Sequence, residues 1–156
     1  MKSILMVCLG NICRSPLAEG VLRKKLELAG IKNIIVDSAG TSDYHVGDAP
    51  DLRSAENAKS HGIDISGLCG RQFTVKDFDA FDRIYVMDAS NYQNVMKLAR
   101  NESDKNKVEL LLNAKWPKKN MPVPDPYYGS GDGFENVFQL VAQACDEIVK
   151  SIRSSQ

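Results

Sequence analysis

The chain reads as an α/β protein, a three-layer sandwich in which a four-stranded parallel sheet carries helices on both faces. Two observations predict this. Four short apolar or β-branched runs, Lys2–Val7, Asn33–Val36, Arg83–Met87 and Val108–Leu112, alternate with segments of helical character. That order builds right-handed βαβ units and a parallel sheet covered on both sides. The last segment repeats Phe134, Val137, Phe138, Val141, Cys145, Ile148 and Ile152 at helical spacing, which marks a core face. Ligands in such folds bind beyond the carboxyl ends of the strands.

Each element has its own local reason. After the first strand and a short loop, a helix is expected from Pro16 to Ala29. Ser15 is its capping residue, the proline sits in its first turn, and Gly30 takes the C′ position. The polar stretch from Ser38 to Pro50, with Tyr44 and His45, follows the second strand and is expected at the carboxyl edge of the sheet. Asp51 to His61 reads as a helix stopped by Gly62. Thr74-Val75-Lys76-Asp77 resembles a capping box with Asp in place of Glu and predicts a short helical turn. Ser90 is the expected cap of a helix ending near Arg100, and Asn101 to Asn106 reads as a polar break.

A chain of 156 residues suits one domain, 1–156, with room for a sizeable core. No repeat, low-complexity tract or linker argues for a second. Twenty basic residues balance twenty acidic ones, so nothing points to nucleic acid or an acidic membrane surface as partner. The N-terminal apolar run is too short for a signal peptide or a membrane span. Cys8, Cys13, Cys69 and Cys145 lack zinc spacing and the two histidines supply no metal set, so no metal or other cofactor is expected. A chain of this size needs no disulfides, which points to reduced thiols and a cytoplasmic setting.

The chemistry concentrates in Val7-Cys8-Leu9-Gly10-Asn11-Ile12-Cys13-Arg14-Ser15-Pro16. A strand, a tight loop and a helix start aim several backbone N–H groups at one spot, and the helix dipole adds to its pull on an anion. Gly10 and Asn11 are the residue types that most easily take φ > 0. A cysteine at the mouth of such a nest ionises more readily than a free thiol. Arg14 can return a planar fork of donors to a bound oxyanion. The G-K-[ST] of a nucleotide-binding P-loop is absent. A C-x5-R spacing alone is weak; its place between an apolar strand and a Ser-Pro helix start makes it a nucleophile in a phosphate cradle.

This ten-residue stretch resembles the signature of the low-molecular-weight protein tyrosine phosphatases, and Asp125-Pro126-Tyr127-Tyr128-Gly129 resembles their general-acid loop. Asp37-Ser38-Ala39-Gly40-Thr41 and Arg71-Gln72 are similar to further family segments, so the likeness spans essentially the whole chain. The resemblance implies the phosphotyrosine phosphatase I-like fold and hydrolysis of phosphotyrosine proteins and aryl phosphates without a metal, releasing inorganic phosphate. Cys8 is then the nucleophile. Arg14 and the N–H groups of Leu9, Gly10, Asn11, Ile12, Cys13, Arg14 and Ser15 bind phosphate. Asp125, which in isolation would be a turn residue before proline, becomes the general acid and base. Tyr44, Tyr127 and Tyr128 form an aromatic rim, and Tyr127 and Tyr128 are phosphorylated in some relatives. Ser15 donates to the Cys8 sulfur, Ser38 braces the loop, and Cys13 pairs with an oxidised Cys8 in a redox switch.

Several relatives carry a histidine near Gly67 that joins the asparagine–serine network, and this chain has none there. Two rival readings fall short. Arsenate reductases of the same fold need two more cysteines after the third strand, and Arg83 to Leu112 contains none. A phosphocysteine-carrier or other phosphate-binding domain needs no acid, which leaves Asp125 in its Pro-Tyr-Tyr setting unexplained.

Overall fold

The computed structural model describes residues 1–126 and 132–155. Its centre is a four-stranded parallel sheet in the order β2-β1-β3-β4. The strands are β1 (Ser3–Cys8), β2 (Ile35–Gly40), β3 (Arg83–Val86) and β4 (Val108–Leu110). β1 is wholly buried because helices cover both faces of it, which is why its run Ser-Ile-Leu-Met-Val-Cys shows no polar alternation. Ile4, Met6 and Cys8 face a core shared with α1 (Arg14–Leu28), α2 (Leu52–Ser60) and α6 (Asp132–Ser154). Leu5 and Val7 face a second core with Phe73, Phe78 of α3 (Asp77–Ala80) and Val95 of α4 (Ala89–Met96). The predicted three-layer sandwich is the observed one. No described helix is long and apolar enough to cross a membrane.

Several boundaries differ from the sequence expectation, each for a local reason. α1 begins at Arg14 with Cys13 at its N-cap, not with Ser15 as cap. The Ser15 hydroxyl is drawn instead to the Cys8 sulfur and the Asn11 amide. β2 runs on to Gly40, past the apolar residues that marked it, because the β1 register continues from Ser3 opposite Ile35 to Cys8 opposite Gly40. Asp88, not Ser90, caps α4. Its carboxylate accepts the Asn91 N–H at 2.8 Å, and the Asn91 side chain accepts the Asp88 N–H at 3.2 Å, a reciprocal box. The expected polar break at 101–106 is a short helix, α5 (Glu102–Asn106), whose cap Asn101 accepts the Asp104 N–H at 2.9 Å. β4 stops at Leu110, and Leu111 and Leu112 are buried in a 3-10 turn instead.

Candidate active site

The loop between β1 and α1 is held by its carbonyl groups. Thr41 N–H donates to the Cys8 carbonyl at 2.9 Å, Ser42 N–H to that of Leu9 at 3.0 Å and Asp51 N–H to that of Ile12 at 2.7 Å. The Ser54 hydroxyl donates to the Cys13 carbonyl at 3.0 Å. With these carbonyls turned outward toward β2, its following loop and α2, the peptide N–H groups between them are left to the inner side. Asn11 takes the left-handed conformation expected of it, with φ 57°, and its N–H points to the Cys8 sulfur at 3.3 Å. No described side chain caps α1, so its first-turn donors add to the same concavity.

Behind the loop lies a buried polar network. Ser15 Oγ is 3.0 Å from Cys8 Sγ. The Asn11 amide donates to Ser15 Oγ at 2.8 Å and to Ser38 Oγ at 3.0 Å, while its oxygen accepts the Arg71 N–H at 3.0 Å. Ser38 in turn donates to Glu19 at 2.6 Å. Burial pushes the Glu19 carboxyl above its ordinary range, against the opposing pull of the Ser38 hydrogen bond and of Arg23. Gly40 closes on the loop from β2, where a Cβ would lie 2.8 Å from the Leu9 carbonyl oxygen. Only glycine permits that approach.

In front of the loop is a pocket of about 200 Å³, lined by Cys8, Leu9, Gly10, Ile12, Cys13, Arg14, Ser42, Tyr44, His45 and Asp125. Arg14 is buried, and its Nη1 donates to Asp88 at 2.7 Å and to the Val123 carbonyl at 3.0 Å. Its Nη2 lies 3.7 Å from the Asp125 carboxylate. Val123 is itself fixed by donating its N–H to the Met87 carbonyl at 2.7 Å, at the end of β3. Thus the third strand presents the segment that carries Asp125 to the residues that follow the first strand.

The predicted residues divide into two sets. Cys8, Leu9, Gly10, Ile12, Cys13, Arg14, Tyr44 and Asp125 meet in the pocket wall. Asn11, Ser15 and Ser38 do not line it; they form the buried support. Tyr127 and Tyr128 lie outside the described residues. Sequence reasoning missed Asp88, whose Asp-x-x-Asn box was the available signal, and Glu19, one helical turn beyond Ser15. It also found no role for His45, whose imidazole packs over Gly10 in the pocket wall. A histidine in a polar loop carries no local signal of where the loop will fold.

Comparison with known proteins agrees with this geometry. Residues 3–156 match the family model of the low molecular weight phosphotyrosine protein phosphatases. The human low molecular weight phosphotyrosine protein phosphatase is 44% identical over 146 residues, covering 92% of this chain and 91% of that protein. Among solved structures, a protein tyrosine phosphatase from Entamoeba histolytica with Hepes in its active site superposes with a TM-score of 0.92 at 35% identity, covering 99% of each chain. A Drosophila arginine phosphatase superposes at 0.90 with 31% identity over the whole of both chains. With Cys8, the buried Arg14 and Asp125 brought to one pocket, this chain belongs to the low molecular weight phosphotyrosine protein phosphatase family.

Proposed function

We propose that Cys8, Arg14 and Asp125 divide the phosphatase reaction among them, acting on phosphotyrosine in proteins. The observation that carries this is the 3.7 Å approach of Arg14 and Asp125 in a pocket that Cys8 also lines. The Cys8 thiolate attacks phosphorus in line and the bond to the phenolic oxygen breaks. The loop N–H groups, with Nε and Nη2 of Arg14, hold the equatorial oxygens where the transition-state charge is spread. Asp125 gives its proton to the leaving phenoxide. It then takes one from the water that cleaves the cysteinyl-phosphate, restoring the thiolate and releasing inorganic phosphate. Leu9, Ile12 and Tyr44 make the apolar wall that suits an aryl group. That wall favours phosphotyrosine over phosphoarginine, the substrate type named for one structural neighbour.

The test is turnover of para-nitrophenyl phosphate, phosphotyrosine and phosphoarginine peptides without added metal, by the native chain and by Cys8→Ser. The native chain is expected to prefer the aryl esters. Cys8→Ser is expected to bind phosphate yet lose turnover, since an alcohol is hardly ionised at neutral pH. Measurable turnover by purified Cys8→Ser overturns the assignment.

Redox control by Cys13 and residence in the cytoplasm belong to the same proposal. The four cysteines are free, and Cys8 and Cys13 are both buried in one loop. Peroxide oxidises Cys8 to a sulfenic acid; the Cys13 thiol then displaces water from it, forming a disulfide. Burial first, then the charges of Asp51 and Cys8, push the Cys13 thiol up to about 12.

A further inference from the structure

We infer that Glu19 is a positioning residue for the nucleophile, acting from the far end of a hydrogen-bond chain that terminates on the Cys8 sulfur. The inference rests on Cys8 being the nucleophile, and it extends the site one layer deeper than the loop itself.

With a Cys8 thiolate and a Glu19 carboxylate as acceptor-only ends, the direction of each hydrogen in this chain follows. The Asn11 side-chain nitrogen has two protons and no lone pair to offer. Its contacts to Ser15 Oγ at 2.8 Å and Ser38 Oγ at 3.0 Å are therefore donations. The amide cannot be reversed, because its oxygen accepts the Arg71 N–H. Ser38 Oγ, accepting from Asn11, must send its own proton elsewhere, and Glu19 Oε1 at 2.6 Å receives it. Ser15 Oγ, also accepting from Asn11, has its proton left for Cys8 Sγ at 3.0 Å; the alternative acceptor, the Ala39 carbonyl, is 3.5 Å away. A carboxylate at one end thus orients a hydroxyl proton toward sulfur at the other, through groups that are almost wholly buried.

Glu19 is the acid that ends the run Cys8–Ser15–Asn11–Ser38. It projects from α1 one turn beyond Ser15 and is 2% exposed, a costly site for a carboxylate. Arg23 approaches its Oε2 at 2.8 Å from the same helix. From the other packed elements, Asp37 of β2 and Arg71 also act on it. Fold stability alone would favour an apolar residue among Ala18, Val21 and Leu22. An acceptor there has a use if Ser38 must stay an acceptor toward Asn11, and hence if Asn11 must stay in its left-handed place in the loop.

The measurement is the pH profile of iodoacetamide alkylation of Cys8 in the free protein, followed on the Cys8 peptide by mass spectrometry. It reads the sulfur without any turnover, so it stands apart from the catalytic test of Cys8→Ser. Glu19→Leu removes the acceptor and is expected to move the half-maximal point up by roughly one pH unit, a tenfold loss of alkylation rate below it. Glu19→Gln keeps an acceptor oxygen and is expected to restore most of the native profile. The Glu19→Leu/Ser38→Ala double variant is expected to shift no further than Ser38→Ala, since Ser38 carries the hydrogen-bonded link between Glu19 and Asn11. A folded Glu19→Leu with the native profile overturns the inference, as does a shift that adds fully to that of Ser38→Ala. Should Glu19→Leu not fold, Ser38→Ala decides alone: it cuts the same link, and an unmoved profile refutes the relay.

Discussion

Replacing Gly40 by alanine adds one methyl group where the end of β2 closes on the β1–α1 loop. Its Cβ would stand 2.8 Å from the Leu9 carbonyl oxygen, about 0.6 Å short of the 3.4 Å at which van der Waals contact becomes ordinary, and 3.2 Å from the Asn11 Cβ. Gly40 cannot retreat. Its N–H donates to the Arg71 carbonyl at 2.8 Å and its own carbonyl accepts the Phe73 N–H at 2.7 Å. The loop must give way instead, and it carries Cys8 and the proposed phosphate donors with it. Overpacking of this kind costs about 1–3 kcal/mol, and in a domain of this size each kcal/mol lowers Tm by roughly 2–4 °C. Activity is more sensitive than stability, since a misplacement of about 1 Å at reacting groups can cost around 10²-fold. Gly40→Ala is therefore expected to remain folded, with Tm lower by several degrees and para-nitrophenyl phosphate turnover reduced by roughly 10- to 100-fold. Gly67→Ala, where nothing lies within 4 Å of the added Cβ, is the matched control. Native turnover and native phosphate affinity in Gly40→Ala would show that the loop geometry does not depend on this contact.

Asp125→Asn is expected to slow phosphotyrosine cleavage by about 10²–10⁴-fold, with a smaller penalty for aryl phosphates whose leaving groups are acidic; an equal loss across a leaving-group series places the acid elsewhere. Cys13→Ser is expected to be active but to recover poorly after peroxide and dithiothreitol, and full recovery would mean that Cys13 protects nothing. Because burial raises the folded-state pKa of Glu19, the native state holds that proton more tightly than the unfolded chain. Its contribution to stability is complete below about pH 4.5 and is lost as pH rises through the raised value. Glu19→Gln is thus expected to gain stability relative to the native chain as pH increases in denaturant titrations, and a difference independent of pH refutes the raised carboxyl.

What was legible in the sequence was local or strongly patterned. β1 announced itself as a continuous apolar run, α6 by its stripe, and the β1–α1 loop by a Cys-x5-Arg spacing set between that run and a Ser-Pro helix start. What was not legible depended on partners distant in sequence. β2 extends through Asp37 and Ser38 because β1 lies beside it, not because its own residues are apolar. The carbonyl groups of the loop are held by N–H groups of Thr41, Ser42 and Asp51, and a backbone donor leaves no mark in a sequence. His45 reaches the pocket only because its loop folds back over Gly10. The Asn11 oxygen is held in the same way, by the Arg71 backbone N–H.

Asp88 shows how little freedom such a site leaves to mutation. One of its carboxylate oxygens accepts the Asn91 N–H at 2.8 Å, starting α4, and the other accepts from Arg14 at 2.7 Å. Asparagine keeps the first contact but turns an amide nitrogen or loses an anion at the second; serine caps equally well but is too short to reach the guanidinium. Glutamate has the charge, yet is a poorer start for a helix. Two tasks that elsewhere tolerate several residue types each are here joined in one side chain, and their overlap leaves aspartate. A library screened only for folding would admit replacements that uncouple Arg14, while one screened only for phosphate binding would retain those that fray α4. Diversity at this position is therefore set by the intersection of two selections, and a redesign that moved the cap to another residue would be the way to relax it.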